Sequence, residues 1–291
     1  MNSRTSPDHL AQDKGEYWRH VHRVVRRSRS SFIWGMRILP AERRRAMYAI
    51  YAFCREVDDI ADLPGDAAVK QDALAAWRDE IGRLFNGRPQ RPTTRALYGP
   101  VQRFDLPRNE FLALIDGVEL DTAPLVRMRT LTDLLAYCRN VAGSVGMLSV
   151  HVFGVPTHPG PRIAETLGNA LQLTNILRDL ADDAAADRLY LPQDLLAGRG
   201  IDGQSPQAAF EHPRFDSVCA ELSELARRYF AEAETLILEL GSRKLRAAVV
   251  MMKIYRETLD RLEARGWQEI GEPIRLTATR KMWLALRHGL L

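Results

Sequence analysis

Four aspartates, set in two pairs with each pair spaced four apart, are the residues best suited to do chemistry: Asp58 and Asp62 in REVDDIAD, Asp179 and Asp183 in QLTNILRDLADD. On a helix, Gln172, Asn175, Asp179 and Asp183 share one face, and Leu173, Ile176, Leu177 and Leu180 fill the other with core spacing. A lone inward amide or acid is usually a satisfied polar group, but four in register make a lining. Carboxylates four residues apart repel, so something positive should sit between them. The upstream stripe Met47, Ile50, Tyr51, Cys54, continued by helical spacing, reaches Asp58 and then Ala61 and Asp62, which predicts that this pair also faces the core. A single DxxxD is most often a solvated helix end. Two such pairs, both turned inward, are what a hard divalent cation bridging to phosphate requires: carboxylate oxygens on one side, phosphate oxygens and water on the other. The pattern reads as a magnesium clamp for a diphosphate.

A chain that positions acids this way must be helical, and the composition agrees: Ala, Leu, Arg and Glu dominate, and Gly and Pro punctuate the periodic runs. Residues 1–14 read as a flexible lead-in. Helices are expected from about Glu16, over Ala41–Asp62, at 66–86, 93–104, 107–121 and 131–154, over Pro161–Asp183, at 214–240 and 243–265, and in a short amphipathic piece at the end. Asp116, Glu119 and Asp121 fall at the end of the 107–121 run, where they are either partners behind the site residues or its exposed face, and the exposed face is the reading taken. Gly143 and Gly146 interrupt an apolar helical stretch, where each costs on the order of 1 kcal/mol relative to alanine. Such a cost means close approach by a neighbouring helix or a slender ligand, beside a face that carries Tyr137, Val141, Ser144 and Leu148. With no short repeat and no low-complexity linker, residues 15–291 read as one all-α domain.

Several function classes drop out. The formal net charge of +4 is carried by diffuse arginine, with no aromatic-interleaved basic stripe, which argues against nucleic acid. Three scattered cysteines make neither a disulfide framework nor a zinc site. GRGIDG at 198–203 spells GxGxxG, but no strand precedes it, so it reads as a loop and not as a dinucleotide site. No apolar run approaches a membrane span and no signal region opens the chain, so a cytoplasmic protein is expected. Trp283, Leu284, Leu286, Leu290 and Leu291 opposite Arg280, Lys281, Arg287 and His288 would allow peripheral contact with a membrane, or docking on the protein's own body.

Taken in order, SSFIWGMRILP, AIYAFCREVDDIAD, YCRNVAGSVGMLS and QLTNILRDLADDAAADRLYLP resemble the squalene and phytoene synthase family over nearly the whole chain. With the ending KMWLALRHGLL, they most resemble its bacterial presqualene-diphosphate-forming branch in hopanoid synthesis. The resemblance implies an isoprenoid-synthase-type helical bundle with a central cavity, and head-to-head condensation of two farnesyl diphosphates with loss of diphosphate. It implies two or three Mg2+ ions held by Asp58, Asp62, Asn175, Asp179 and Asp183, with no use of NADPH. Ser31, Arg55, Gln172, Arg178, Arg188 and Tyr255 would contact diphosphate. Ala142, Gly143, Gly146 and Leu148 would line a tail channel, and either Tyr137 or the released diphosphate would take the final proton. The family usually has Glu at Asp182 and Gly at Asp187, and the second departure puts the loop carrying Arg188 in question. A phytoene-type enzyme using geranylgeranyl diphosphate and a non-catalytic helical assembly protein are the alternatives.

Overall fold

The computed structural model describes residues 7–28, 30–62, 65–241 and 243–289, with side chains from residue 15. The first part of the chain forms α1 (Pro7–Arg27), α2 (Phe32–Arg37), α3 (Ala41–Asp58), α4 (Ala67–Phe85), α5 (Pro92–Phe104) and α6 (Arg108–Asp121). After β1 (Val126–Arg127) come α7 (Leu131–Cys138), a π-helical turn (Arg139–Gly143), α8 (Ser144–Phe153), α9 (Gly160–Arg178) and α10 (Leu180–Ala185). Then follow β2 (Arg188–Leu189), α11 (Gln193–Ala197), α12 (Pro206–Phe210), α13 (Phe215–Leu240), a 3-10 turn, α14 (Arg246–Arg265) and α15 (Ala278–Gly289). The helices expected at 66–86, 93–104, 107–121 and 214–240 are present within a residue of their expected ends, and the 243–265 run is a 3-10 turn followed by α14. Residues 1–6 of the expected lead-in lie outside the described residues, and α1 takes in the remainder.

Local chemistry explains several boundaries. The Asp66 carboxylate accepts the Val69 amide at 3.1 Å and starts α4, and a reciprocal Thr130–Asp133 box starts α7. Gly154 takes φ +76°, the left-handed conformation that closes α8.

The bundle is organised around α9, which packs against α8, the π turn, α13 and α14. It is apolar on most sides, with Ile163, Ala170, Leu173, Ile176 and Leu177 all buried. Its buried Thr166 and Thr174 hydroxyls donate to carbonyls one turn back, at 2.8 and 2.7 Å, so neither is left unpaired. Glycine lets two backbones touch here: a Cβ on Gly168 would stand 2.9 Å from the Gly143 backbone, and one on Gly146 would stand 2.7 Å from the Ala164 carbonyl oxygen.

Two expectations change. The run 131–154 is not one α-helix, because a π turn interrupts it next to Gly143. The helix expected over Pro161–Asp183 breaks at Asp179 (φ −102°, ψ 14°), although the Asp183 amide still reaches the Asp179 carbonyl at 2.8 Å. Beside the helices lies a two-residue parallel strand pair, Val126 opposite Arg188 and Arg127 opposite Leu189.

Gly168→Ala is expected to lower stability by about 1–3 kcal/mol through overpacking against a backbone that cannot turn aside. Urea denaturation followed by circular dichroism checks this, and an unchanged midpoint would refute the close contact.

Candidate active site

A cavity of about 840 Å³ opens inside the bundle, toward the upper end of small-molecule pockets, which span roughly 300–1,000 Å³. Its body is apolar, lined by residues such as Leu39, Ile50, Val145, Phe153, Ile163 and Leu171. Its polar wall carries Ser31, Arg55, Asp58, Gln172, Asn175, Arg178, Asp179 and Tyr255, together with Tyr137. The predicted site residues are thus largely gathered on one cavity. Ala142 and Gly146 lie on its wall, but Gly143 and Leu148 do not: Gly143 is buried where α9 crosses at Gly168, and Leu148 is fully buried in the core.

The first aspartate pair does not face the core as its stripe suggested. α3 ends at Asp58, and Asp62 lies in the following turns, so helical extrapolation overshoots. Both carboxylates stand at the mouth, their side chains 59 % and 69 % exposed. Each has an arginine near it: Arg55 is 3.5 Å from Asp58 and 2.5 Å from Asp59, and Arg188 reaches Asp62 at 3.3 Å and the Ala61 carbonyl at 3.2 Å. Crowding by protein at the mouth raises the pKa of Asp58, against the pull of Arg55 and with help from the Asp62 charge.

At the end of α9 Arg178 forks onto Asp179, with Nε donating at 2.7 Å. Among the described residues Asp183 has no such ion-paired arginine. Burial first, then the Asp179 charge, push it up to about 7, with Arg188 opposing. Asn175 donates from Nδ2 to Gln172 Oε1 at 3.2 Å, and its own Oδ1 is buried without a donor. An orphan amide oxygen beside carboxylates that resist ionisation is a donor set that suits a hard cation. Asp58, Asp62, Asn175, Asp179 and Asp183 therefore fit magnesium by chemistry, although among the described residues no three acidic, histidine or cysteine side chains already converge as a preformed cage.

Sequence reasoning missed a buried anion below this site. Asp116 and Glu119 do face outward and share Arg78, but Asp121 is buried and accepts the Tyr137 hydroxyl at 2.9 Å and the Tyr190 hydroxyl at 2.6 Å. The two rings stack at 5.0 Å. Burial drives Asp121 up to about 6 despite both hydroxyls. The signal was present: Asp121 continues the buried stripe Leu114, Val118 at helical spacing. Arg275 and Lys281 also line the cavity, and burial together with Arg178 and Arg275 lowers the Lys281 pKa. No periodicity announces Arg275, because the chain before α15 is irregular, and Lys281 was read only as part of the basic face of the terminal amphipathic piece.

The model of the family described as squalene/phytoene synthase matches residues 25–282. The chain belongs to the squalene/phytoene synthase family. It is 40 % identical to the presqualene diphosphate synthase of Sinorhizobium fredii over 90 % of this chain and 94 % of that one. It is 35 % identical to the phytoene synthase of Thermus thermophilus, over 90 % and 88 % of the two chains. The crystal structure of squalene synthase HpnC from Alicyclobacillus acidocaldarius superposes with a TM-score of 0.77 at 28 % identity, over 92 % of this chain and 98 % of that chain. Membership of the squalene/phytoene synthase family makes the chain an enzyme of head-to-head prenyl condensation and implies magnesium-dependent diphosphate chemistry.

Asp183 gives a pH expectation for the metal-free protein. Its folded pKa of about 7 lies above the unfolded value of 3.8, so between these limits the folded state holds a proton that the unfolded state has lost. Stability should therefore fall as pH rises from 4 to 7, and Asp183→Asn should flatten that slope and raise the melting temperature at pH 7.5. A melting series in EDTA reads both, and a variant with the wild-type slope would contradict the assignment.

Proposed function

We propose that this enzyme joins two farnesyl diphosphates head to head, in the 1'-1 sense, to give presqualene diphosphate and free diphosphate, as an early step toward squalene and hopanoids. The observation that carries the reading is an apolar cavity whose polar wall carries one aspartate of each pair, Asp58 and Asp179, with Arg55 and Arg178 beside them, while Arg188 reaches Asp62 nearby. The 40 % identity to a presqualene diphosphate synthase supports the choice of substrate.

The apolar body takes the isoprenoid tails and keeps water from a cationic carbon. Arg55, Arg178 and Arg188 border the acids at the mouth, where planar guanidinium forks suit diphosphate oxygens. Two or three magnesium ions, held by Asp58, Asp62, Asn175, Asp179 and Asp183, would supply the charge that stabilises the departing diphosphate. Ser31 and Gln172 line the same wall, and Tyr255, buried beside Arg178, orients that guanidinium.

The allylic carbon–oxygen bond of one substrate breaks and diphosphate leaves with the electron pair. The double bond of the second substrate attacks the cationic carbon, and loss of one proton closes a cyclopropane. Tyr137 donates its hydroxyl hydrogen to Asp121, so a proton taken up at its oxygen would be matched by passage of its own to the Asp121 carboxylate; this relay and the released diphosphate are the two candidate acceptors of that proton.

No part of the site is assigned to NADPH, so reduction onward to squalene falls outside this reading. The protein is read as cytoplasmic. Among the described residues no helix is long and apolar enough to cross a membrane. Peripheral membrane contact would use α15, which leaves Met282, Trp283 and Leu286 exposed, with Arg280 and Arg287 stacked on the Trp283 ring at 4.3 and 5.1 Å.

Asp58→Ala and Asp179→Ala are each expected to lower turnover by about 100-fold or more, the scale of losing a group that stabilises developing charge, with the helical circular dichroism unchanged. Full activity in either variant would remove the clamp. Mass spectrometry after incubation with farnesyl diphosphate and Mg2+ should show presqualene diphosphate, and adding NADPH should yield no squalene. Preferential turnover of geranylgeranyl diphosphate would favour a phytoene-type enzyme. No turnover, together with no thermal shift from Mg2+ and a diphosphate analogue, would favour a non-catalytic assembly protein.

A further inference from the structure

Behind the turn that carries Arg188 stands a residue that the reaction as read above does not use. Arg127, on β1, has a side chain only 9 % exposed and spends its guanidinium on neighbouring backbone and one acid. Its Nη1 donates to its own Val126 carbonyl at 2.8 Å and to the Asp187 carbonyl at 2.7 Å. Its Nη2 donates to Asp187 Oδ1 and to the Gln204 carbonyl, both at 2.7 Å. One side chain thus ties β1, the turn between α10 and β2, and the loop after α11.

Asp187 needs such a tie. It stands at φ +55°, the left-handed region that favours glycine and that aspartate enters at a cost. Its amide donates to the Ala184 carbonyl at 3.0 Å, but the backbone holds its carbonyl weakly, since the Val126 amide reaches it only at 3.4 Å, beyond the usual range for an N–H···O bond. The next residue is Arg188, whose side chain crosses to the first aspartate pair. Its own tethers, 3.3 Å to Asp62 and 3.2 Å to the Ala61 carbonyl, are long. Arg188 is therefore a loosely held head on a firmly held stem, and the stem is firm because of Arg127.

We propose that Arg127 is a positioning residue for the diphosphate site, clamping the left-handed Asp187 so that Arg188 is presented to the acids at the cavity mouth. The Asp187 carboxylate is its counterpart, doing by ion pairing at this turn what a glycine would do by conformational freedom. This rests on reading Arg188 as a diphosphate contact, and the test separates the two claims. A buried arginine that only stabilised the fold would lower the melting temperature on removal and leave ligand affinity per folded molecule untouched.

The test is calorimetric titration of inorganic diphosphate with Mg2+ into the wild type, Arg127→Ala, Arg188→Ala and the double variant. Each single change is expected to weaken binding about tenfold, and the double variant should be no weaker than Arg188→Ala, because residues acting through one contact are not additive. Additive losses, or wild-type affinity in Arg127→Ala beside a weakened Arg188→Ala, would overturn the positioning role. Wild-type affinity in Arg188→Ala would overturn the reading of Arg188 itself. Should Arg127→Ala not fold, Asp187→Gly carries the test: glycine accepts the left-handed turn freely, so the melting temperature should not fall, while affinity drops about threefold as the ion pair is lost. Unchanged affinity in Asp187→Gly would count against the clamp.

Discussion

Mutual repulsion among carboxylates at the cavity mouth is the constraint on which the rest of this structure depends. Asp58 and Asp179, from elements distant in sequence, line one cavity, Asp62 and Asp183 add their charge beside them, and a fold that gathers anions must compensate them. Three of the four have an arginine from their own neighbourhood: Arg55 near Asp58, Arg188 on Asp62 and Arg178 on Asp179. The fourth answers by holding its proton more tightly. The same guanidinium groups are the ones best placed to meet an incoming polyanion, so the balance of charge at rest and the capacity to bind a diphosphate come from one arrangement.

The apolar body of the cavity and its charged residues are separated mainly by one helix. α9 divides the two environments along its own length, with Gln172, Asn175 and Asp179 turned to the cavity and Leu173, Ile176 and Leu177 packed away from it. Deeper still, Asp121 takes both tyrosine hydroxyls, which fixes the Tyr137 ring against Tyr190 and holds it on the cavity wall. Burial raises the pKa of this acid even though both hydroxyls and the Arg188 charge favour its ionised form.

Much of this was legible in the amino-acid order, because long helices announce themselves by period and paired acids by spacing. The second aspartate pair, its amide partners and the all-α class were readable for that reason. The first pair was located, but its orientation was not, since the Met47–Cys54 stripe gives no warning that α3 stops at Asp58. Asp121 was misread because Asp116 and Glu119 beside it are truly exposed, and charge outweighed the stripe that continued from Val118. Arg127 carried no signal at all: a two-residue strand has no period, and its partner Asp187 looked like a departure that would disturb the loop. In the fold the two meet, and Arg188 is aimed across the mouth after all.

The π turn at Arg139–Gly143 has a geometric consequence of its own. Tyr137 and Gly146 both line the cavity although nine positions separate them, and in an unbroken α-helix that interval would set them roughly 180° apart. One wider turn takes up an additional residue and winds the downstream segment back by about 100°. Phenol and glycine can then share a wall that regular winding would have denied to one of them. The irregularity thus works as a phase shifter, setting the rotational offset between the part of the helix that holds the tyrosine and the part along which a hydrocarbon chain would lie.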